Sequence, residues 1–333
     1  MIKKNCIIII TAFLMSHQIH CQDVIMTVKG PINAEDMGTT LVHEHIMLAG
    51  FVDPDSVRKD KWDNNRIITR IMPYLNDLKA FKCNTYIECT PTAIGKDPLL
   101  LKSLSDKTGM HFITNTGYYG AAGSRFIPAH TYRETAAQVA ERWVDEWENG
   151  IESTGIKPGF IKIGVEGANL SDIHKKLVSA AGKAHLKTGL IIVSHTGPAV
   201  LAFEQIEILK KEGVSPEAFV WAHAQAESDP EIHAKAARMG TWVSLDGVDD
   251  NNVANYVKMI TAMKNQNLLN KVLISHDAGW YTVGEENGGQ IRGFTTIFEK
   301  LIPSLQKEGF TEKDIHQLLV INPAQAFKIK IRK

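Results

Sequence analysis

Short apolar, β-rich runs alternate with amphipathic segments along most of this 333-residue chain, and this alternation constrains the fold more than any other feature. There are eight runs, at residues 41–46, 85–89, 111–116, 160–165, 190–194, 219–222, 241–245 and 271–275. Four helical segments, 136–149, 172–188, 202–212 and 231–239, are each followed by a glycine, the usual helix terminator. Repeated strand–helix units predict an α/β fold, a single-domain (β/α)8 TIM barrel. A doubly wound open sheet is the alternative, but no Gly-x-Gly-x-x-Gly follows an early strand.

The first run carries two histidines, His43 and His45, two positions apart. Alternate residues of a strand point to the same face, so both imidazoles would face one space. Two neutral imidazoles form half of a site for a divalent metal. On this run alone, two core histidines satisfied by hydrogen bonds remain an alternative.

Four later runs also carry metal-binding residue types at or near their carboxyl ends. They are Lys162, His195, His223 and Asp277. Barrel enzymes draw their catalytic groups from the ends of several strands. Singly, each residue has a structural explanation, as a helix cap or a solvent-facing lysine. Lys162 lies inside an otherwise apolar run, where its burial would be costly unless it were paired or modified. The coincidence of all these positions predicts a metal site.

Charge and the amino terminus bear on partners and location. The chain has 37 basic and 37 acidic residues and no basic cluster, which argues against a nucleic acid partner. Residues 1–22 combine a basic start, an apolar core at 6–15 and a polar exit, the pattern of a cleaved signal peptide. We therefore expect a mature domain of residues 23–333, exported to the periplasm or secreted, with no membrane attachment after cleavage. A retained anchor and a lipoprotein at Cys21 are less favoured.

The remaining cysteines, Cys83 and Cys89, lie too far apart along one strand for a disulfide.

Taken together, the motifs resemble the phosphotriesterase family of the amidohydrolase superfamily, and within it the phosphotriesterase-like lactonases. The likeness covers residues 26–327. It rests on the segments Gly30-Pro31-Ile32, Leu41-Val42-His43-Glu44-His45, Gly159-Phe160-Ile161-Lys162, Val193-Ser194-His195-Thr196, Ile274-Ser275-His276-Asp277 and Asn322-Pro323-Ala324.

This resemblance implies a binuclear metal centre. One divalent ion would be held by His43, His45 and Asp277, and the other by His195 and His223. Lys162, carboxylated to a carbamate, would bridge the two ions, and zinc suits such ligands. A hydroxide shared by the metals would attack the substrate, with Asp277 accepting its proton.

Departures from the family pattern bear on the substrate. Phosphotriester-cleaving members carry a relay histidine directly after the aspartate that corresponds to Asp246, but here Gly247 follows. Their relay carboxylate is replaced by Ala226, and Tyr119 stands where the lactonases have tyrosine. Tyr119 would either assist catalysis or only pack beneath the loop that follows the third apolar run.

The resemblance therefore implies a hydrolase that opens a lactone or related carboxylic ester, with Asp277, Tyr119 and Asp246 as catalytic residues. A phosphotriesterase and an N-acyl amidase are the alternatives within the family, and a catalytically silent metal-binding protein is the alternative from another class. The substrate would be a small molecule, and a homodimer is compatible with the sequence.

Overall fold

A computed structural model describes residues 23–49 and 62–333. The expected signal peptide at residues 1–22 lies outside the described residues. Within the described ranges, no helix combines the length and apolar character needed to cross a bilayer.

The described residues form twelve strands and eleven α-helices. The strands are β1 Val24–Thr27, β2 Gly30–Asn33, β3 Thr40–Leu48, β4 Thr85–Glu88, β5 His111–Ile113, β6 Asn115–Thr116, β7 Phe160–Gly164, β8 Ile192–His195, β9 Phe219–Ala222, β10 Trp242–Leu245, β11 Val272–Ile274 and β12 Gly279–Thr282. The helices are α1 Asn64–Ala80, α2 Pro98–Thr108, α3 Ala129–Arg133, α4 Ala136–Asn149, α5 Asp172–Thr188, α6 Ala199–Lys211, α7 Pro230–Arg238, α8 Val253–Asn265, α9 Ile302–Lys307, α10 Glu312–His316 and α11 Asn322–Phe327. Two π-helical turns, Ile297–Leu301 and Gln317–Ile321, lead into α9 and α11.

The parallel strands follow one another around a barrel in chain order. One sheet runs β12-β3-β4-β5 and the other β6-β7-β8-β9-β10-β11. β5 and β6 are two halves of one strand interrupted at Thr114. Between β11 and β3 there is no ladder, but Asp277 N donates to His43 O at 3.0 Å and His45 N to Ala278 O at 2.9 Å. The (β/α)8 fold is thus confirmed, with two interruptions in its hydrogen-bond pattern.

Strand β3 is buried along nearly its whole length. The pairing of β3 with β4 shifts register between Leu41 and Glu44, as at a bulge. Leu41 packs in the main core with the helices, whereas Val42 packs with side chains of the barrel interior such as Phe160. This irregularity includes His43 and lies directly before His45.

The eight predicted runs coincide with strands to within a few residues. The sequence also suggests a turn at Gly30-Pro31 and long loops at 120–135 and 278–290, and the structure corrects all three. Gly30 begins β2, which pairs antiparallel with β1. Segment 278–290 contains β12, which pairs with β3, and segment 120–135 contains α3.

The expected helix ends are confirmed in part. Ser171 caps α5, and Gly189 ends it in the left-handed conformation. Thr311 and Asp314 form a capping box at the start of α10. Gly150 ends α4 with φ 95° and ψ 149°, which is not the left-handed helical conformation. Cys83 and Cys89 are buried free thiols, as expected.

Candidate metal centre

The carboxyl ends of the barrel strands surround a cavity of about 90 Å³. All six predicted ligands line it, together with Tyr119: His43, His45, Lys162, His195, His223 and Asp277. Asp246, the remaining predicted site residue, is fully buried behind the imidazoles and does not line the cavity. The barrel thus gathers side chains that lie up to 234 positions apart in the sequence (277 − 43).

His43 and His45 each use one ring nitrogen for a hydrogen bond to a neighbouring side chain. His43 Nδ1 lies 2.8 Å from Asp246 Oδ2, and His45 Nδ1 lies 2.8 Å from Thr90 Oγ1. Their Nε2 atoms lie 3.8 Å and 2.7 Å from Asp277 Oδ1. A metal-ligating histidine commonly has its other nitrogen hydrogen-bonded in this way, because the bond fixes the tautomer and the ring orientation.

Asp246 binds two imidazoles with one carboxylate. Its Oδ1 lies 2.8 Å from His223 Nδ1, while Oδ2 contacts His43 and accepts from Ser244 Oγ at 2.8 Å. Burial would raise the pKa of Asp246, but the charges and hydrogen bonds of His223 and His43 hold it well below its usual value. Asp246 is therefore an anion that orients a ligand of each predicted ion.

Three of the four candidate histidine ligands, His43, His45 and His195, are held in the neutral form that binds a metal. Burial, followed by Lys162, lowers the pKa of His43 to about 4. Burial likewise holds the pKa of His45 and that of His195 well below the ordinary value. Burial, the largest single influence, would also lower the pKa of His223, but the charge and hydrogen bond of Asp246 together with the charge of Asp277 outweigh it and raise this pKa.

Lys162 is buried in the middle of β7, with 1% of its surface exposed. Its Nζ lies 3.2 Å from His43 Nε2. No ion pair joins it to a carboxylate within residues 23–49 and 62–333. A buried ammonium normally needs such a partner, so its setting suits a modified, anionic side chain. Gly117 packs on the Lys162 carbonyl so closely that any side chain there would collide with it.

Among the described residues, two groups have ligand atoms close enough to share a metal: His43, His45 and Asp277, and His43, His223 and Asp246. The first matches the predicted site. In the second, both imidazoles contact Asp246 through Nδ1 at 2.8 Å, a hydrogen-bond length, so hydrogen bonding explains that group without an ion. The His195 imidazole forms no hydrogen bond with another described residue, and its ring lies 4.3 Å from that of His223. The donors present therefore fit one ion held by His43, His45 and Asp277, and they leave His195 and the other ring nitrogen of His223 available to a second.

Comparison with known proteins agrees with this geometry. The model of the phosphotriesterase family matches residues 23–327. The chain belongs to the phosphotriesterase family. It is 29% identical over 297 residues to a phosphotriesterase homology protein of Escherichia coli, covering 87% of this chain and 98% of that one. It is 25% identical to an aryldialkylphosphatase of Saccharolobus solfataricus, covering 90% and 98% of the two chains. It is also 24% identical to a human N-acetyltaurine hydrolase, covering 92% and 98%.

Among solved structures, a triple mutant of the organophosphorus hydrolase from Deinococcus radiodurans superposes with a TM-score of 0.81 at 24% identity, covering 91% of this chain and 97% of that one. This similarity shows the shared fold. Its membership of the phosphotriesterase family makes the protein an enzyme, a hydrolase.

The space beside Asp246 is filled by residues that sequence reasoning did not single out. A Cβ atom on Gly247 would lie 2.7 Å from Gln225 Nε2 and 2.9 Å from the Tyr256 hydroxyl. Asp246 N donates to Gln225 Oε1 at 3.1 Å, and Gly247 N donates to Tyr256 Oη at 2.9 Å. The position after Asp246 therefore has no room for a larger side chain unless Gln225 and Tyr256 move.

Aromatic side chains form the walls of the cavity. The Tyr119 ring meets His195 edge to face at 5.1 Å and covers Gly164, where a Cβ atom would lie 2.7 Å from Tyr119 Cδ2. Trp280 stacks on His45 at 3.7 Å, and its Nε1 donates to Asp277 O at 3.2 Å. Both aromatic rings thus pack directly on candidate ligands.

Thr90 and Glu88 were also missed, although both are polar residues at the end of the second barrel strand. Thr90 contacts His45 Nδ1 and donates its hydroxyl to Glu88 Oε1. Glu88 is fully buried, and burial raises its pKa to about 7, against opposing hydrogen bonds from Thr90 and Ile46. The only sequence signal was their place at a strand end, which many structural residues share.

Glu88 should make the metal-free protein less stable as the pH rises. The ordinary pKa of a glutamate is 4.5, so between there and about 7 the native state keeps a proton that the unfolded chain releases. Stability is therefore lost across this window and stays low above it, by about 3 kcal/mol in total. Urea unfolding at a series of pH values should show that Glu88→Gln flattens this decline. Parallel pH profiles for the two proteins would contradict the assignment.

Proposed function

We propose that this protein is a binuclear metal hydrolase of carboxylic esters and that lactones are its preferred substrates. The observation that carries the proposal is the convergence of all six candidate ligands on one cavity, with Tyr119 packed against the candidate ligand His195. The filled space after Asp246 supports an ester rather than a phosphotriester, because the relay histidine associated with phosphotriester cleavage has no counterpart there.

The chain offers ligands for both ions. His43, His45 and Asp277 would hold one and His195 and His223 the other, with carboxylated Lys162 between them. When bound, the ions would polarise the substrate carbonyl and activate water for attack near neutral pH. Zinc suits this mixture of imidazole and carboxylate donors.

Asp277 is suited to accept the proton released during attack. Burial raises its pKa above the ordinary value for an aspartate, despite the opposing charges of His43 and His223. Its side chain is 31% exposed, so it can pass the proton on to solvent. A base with a pKa raised towards neutrality is more effective than an ordinary carboxylate.

Tyr119 is suited to donate a hydrogen bond to the negative charge that develops on oxygen. Burial, followed by the charges of Asp277 and Glu166, raises the pKa of Tyr119 above its usual range, so it keeps its proton. Lactone opening creates an oxyanion and an alkoxide that stays attached to the product, and a fixed phenol can stabilise such charge.

The cavity wall favours a substrate with an apolar part. Ile94 and Phe126 are buried together beside the cavity, and Leu48, Tyr119 and Trp280 pack against them. An apolar wall beside a few polar groups is typical of small-molecule sites. The similarity to an aryldialkylphosphatase and an N-acetyltaurine hydrolase makes phosphotriesters and N-acyl amines the comparison substrates.

A substrate panel tests the proposal. We expect kcat/KM for the best lactone to exceed that for an activated phosphotriester by on the order of a hundredfold, about 2.7 kcal/mol of differential transition-state binding. Tyr119→Phe should lower lactone turnover more than triester turnover. Tyr118→Phe is a matched control, because the Tyr118 hydroxyl contacts His130 at 3.1 Å and Tyr118 does not line the cavity. Equal or better turnover of the triester would overturn the lactone assignment, and preference for an N-acyl amine would favour the amidase.

A further inference from the structure

Glu44, between the two histidines of β3, binds the segment that carries Asp277. The Glu44 side chain is fully buried and does not line the cavity. Its carboxylate accepts four hydrogen bonds, from Ser275 Oγ at 2.8 Å, His276 N at 2.9 Å, His276 Nδ1 at 2.7 Å and Ala278 N at 3.0 Å. A buried carboxylate is tolerated when it is satisfied in this way. All four donors lie within the segment 275–278.

The same segment crosses the interruption between β11 and β3. Asp277 has φ 53°, in the left-handed region that is unfavourable for a residue with a side chain. Such a conformation persists only where the surroundings hold it in place. Only two backbone hydrogen bonds, Asp277 N to His43 O and His45 N to Ala278 O, join the segment to β3 here, and side chains add to that constraint.

Arg292 also binds segment 275–278, through its backbone carbonyls. Its Nη2 donates to Asp277 O at 2.7 Å and also to His276 O. Glu44 therefore binds the N–H groups of the residues on either side of Asp277, and Arg292 binds two carbonyls of the same segment. The Asp277 N–H itself donates to His43 O at 3.0 Å.

His276 extends this arrangement to the helix that follows. While His276 Nδ1 donates to Glu44, its Nε2 accepts from Ile297 N at 3.1 Å. Ile297 begins the π-helical turn that leads into α9. The segment that carries Asp277 is thus tied to β3, to the last helical region and to Arg292.

We propose that Glu44 and Arg292 are positioning residues that hold Asp277 in its left-handed conformation and so preorganise its carboxylate beside His43 and His45. This inference rests on the metal centre proposed above. Holding a ligand in its bound geometry reduces the entropy lost on metal binding. Mutation of a residue that orients a metal ligand typically lowers metal affinity by about 10- to 100-fold.

Zinc affinity, measured by competition with a chromogenic chelator, tests this proposal. Glu44→Gln keeps the shape of the side chain but must turn an NH₂ group towards an N–H or O–H donor. We expect it to weaken zinc binding by about 10- to 100-fold. Arg292→Met should weaken binding several-fold. The Arg292 side chain is exposed, so this variant should fold even if Glu44→Gln does not.

Asn322→Ala is the matched control. Asn322 is buried and donates to Leu269 O at 2.8 Å and Val272 O at 2.6 Å. These carbonyls lie just before and at the start of β11, the strand whose other end leads into segment 275–278. It should lower the melting temperature without changing zinc affinity. Zinc loss in this variant equal to that in Glu44→Gln would show a general effect of destabilisation and overturn the proposal.

A double-mutant cycle separates positioning from general disruption. If Glu44 acts through Asp277, adding Glu44→Gln to Asp277→Ala should cause no further loss of zinc affinity. Additive losses would overturn the proposal, as would wild-type affinity in both Glu44→Gln and Arg292→Met. A wild-type protein that binds no zinc or other divalent ion would instead refute the metal centre itself.

Discussion

Lys162→Ala is expected to remove metal and hydrolytic activity together, lowering kcat/KM by a factor on the order of a thousand or more. Lys162 is buried at the centre of the candidate ligands, and its Nζ lies 3.2 Å from His43 Nε2. As a carbamate it would supply the anion between two ions, so its loss would affect both. Metal content and turnover on the best lactone should fall in parallel. Added formate, acetate or propionate should restore part of each by occupying the vacated space.

Lys96→Ala is the matched control for this experiment. Lys96 is also a buried lysine, but its Nζ donates to Asn115 O at 2.8 Å and lies 3.7 Å from Glu146 Oε2. Its loss should reduce stability without removing metal, and short carboxylic acids should not rescue it. Full metal occupancy in untreated Lys162→Ala would show that the lysine does not bridge the ions.

Asp246→Asn is expected to weaken both metal sites, by roughly 10- to 100-fold in affinity, with a corresponding loss of turnover. One carboxylate now accepts from His43 and from His223, each at 2.8 Å. An amide has a single acceptor oxygen, so one imidazole would face an NH₂ group and change its tautomer or its orientation. Zinc titration followed by competition with a chelator would measure the loss at each site.

Ser244→Ala provides the comparison, because it removes only the hydroxyl that donates to Asp246 Oδ2 at 2.8 Å and leaves both imidazole contacts in place. Its effect on zinc affinity should be a few-fold at most. If Asp246→Asn bound zinc as tightly as the wild type, the two histidines would have to be oriented by other contacts.

Local patterns in the sequence determined the fold class and the candidate ligands. Alternating apolar runs and glycine-terminated segments predict the barrel because each pattern reports on its own element. The two histidines of β3 and the lysine within β7 stand out for the same reason, since a polar residue in an apolar strand needs a local explanation. Tyr119 and Asp246 became candidates only through the resemblance to the family.

The tertiary structure decided how these residues are supported. The bond from Ser275 to Glu44 joins residues 231 positions apart, and no periodicity within either strand predicts it. The register shift in β3, the pairing of β12 and the contact of Thr90 with His45 likewise depend on neighbouring strands. The sequence specifies which side chains can act as ligands, because that depends on their chemistry. Their orientation depends on hydrogen bonds between segments that only the tertiary fold brings together.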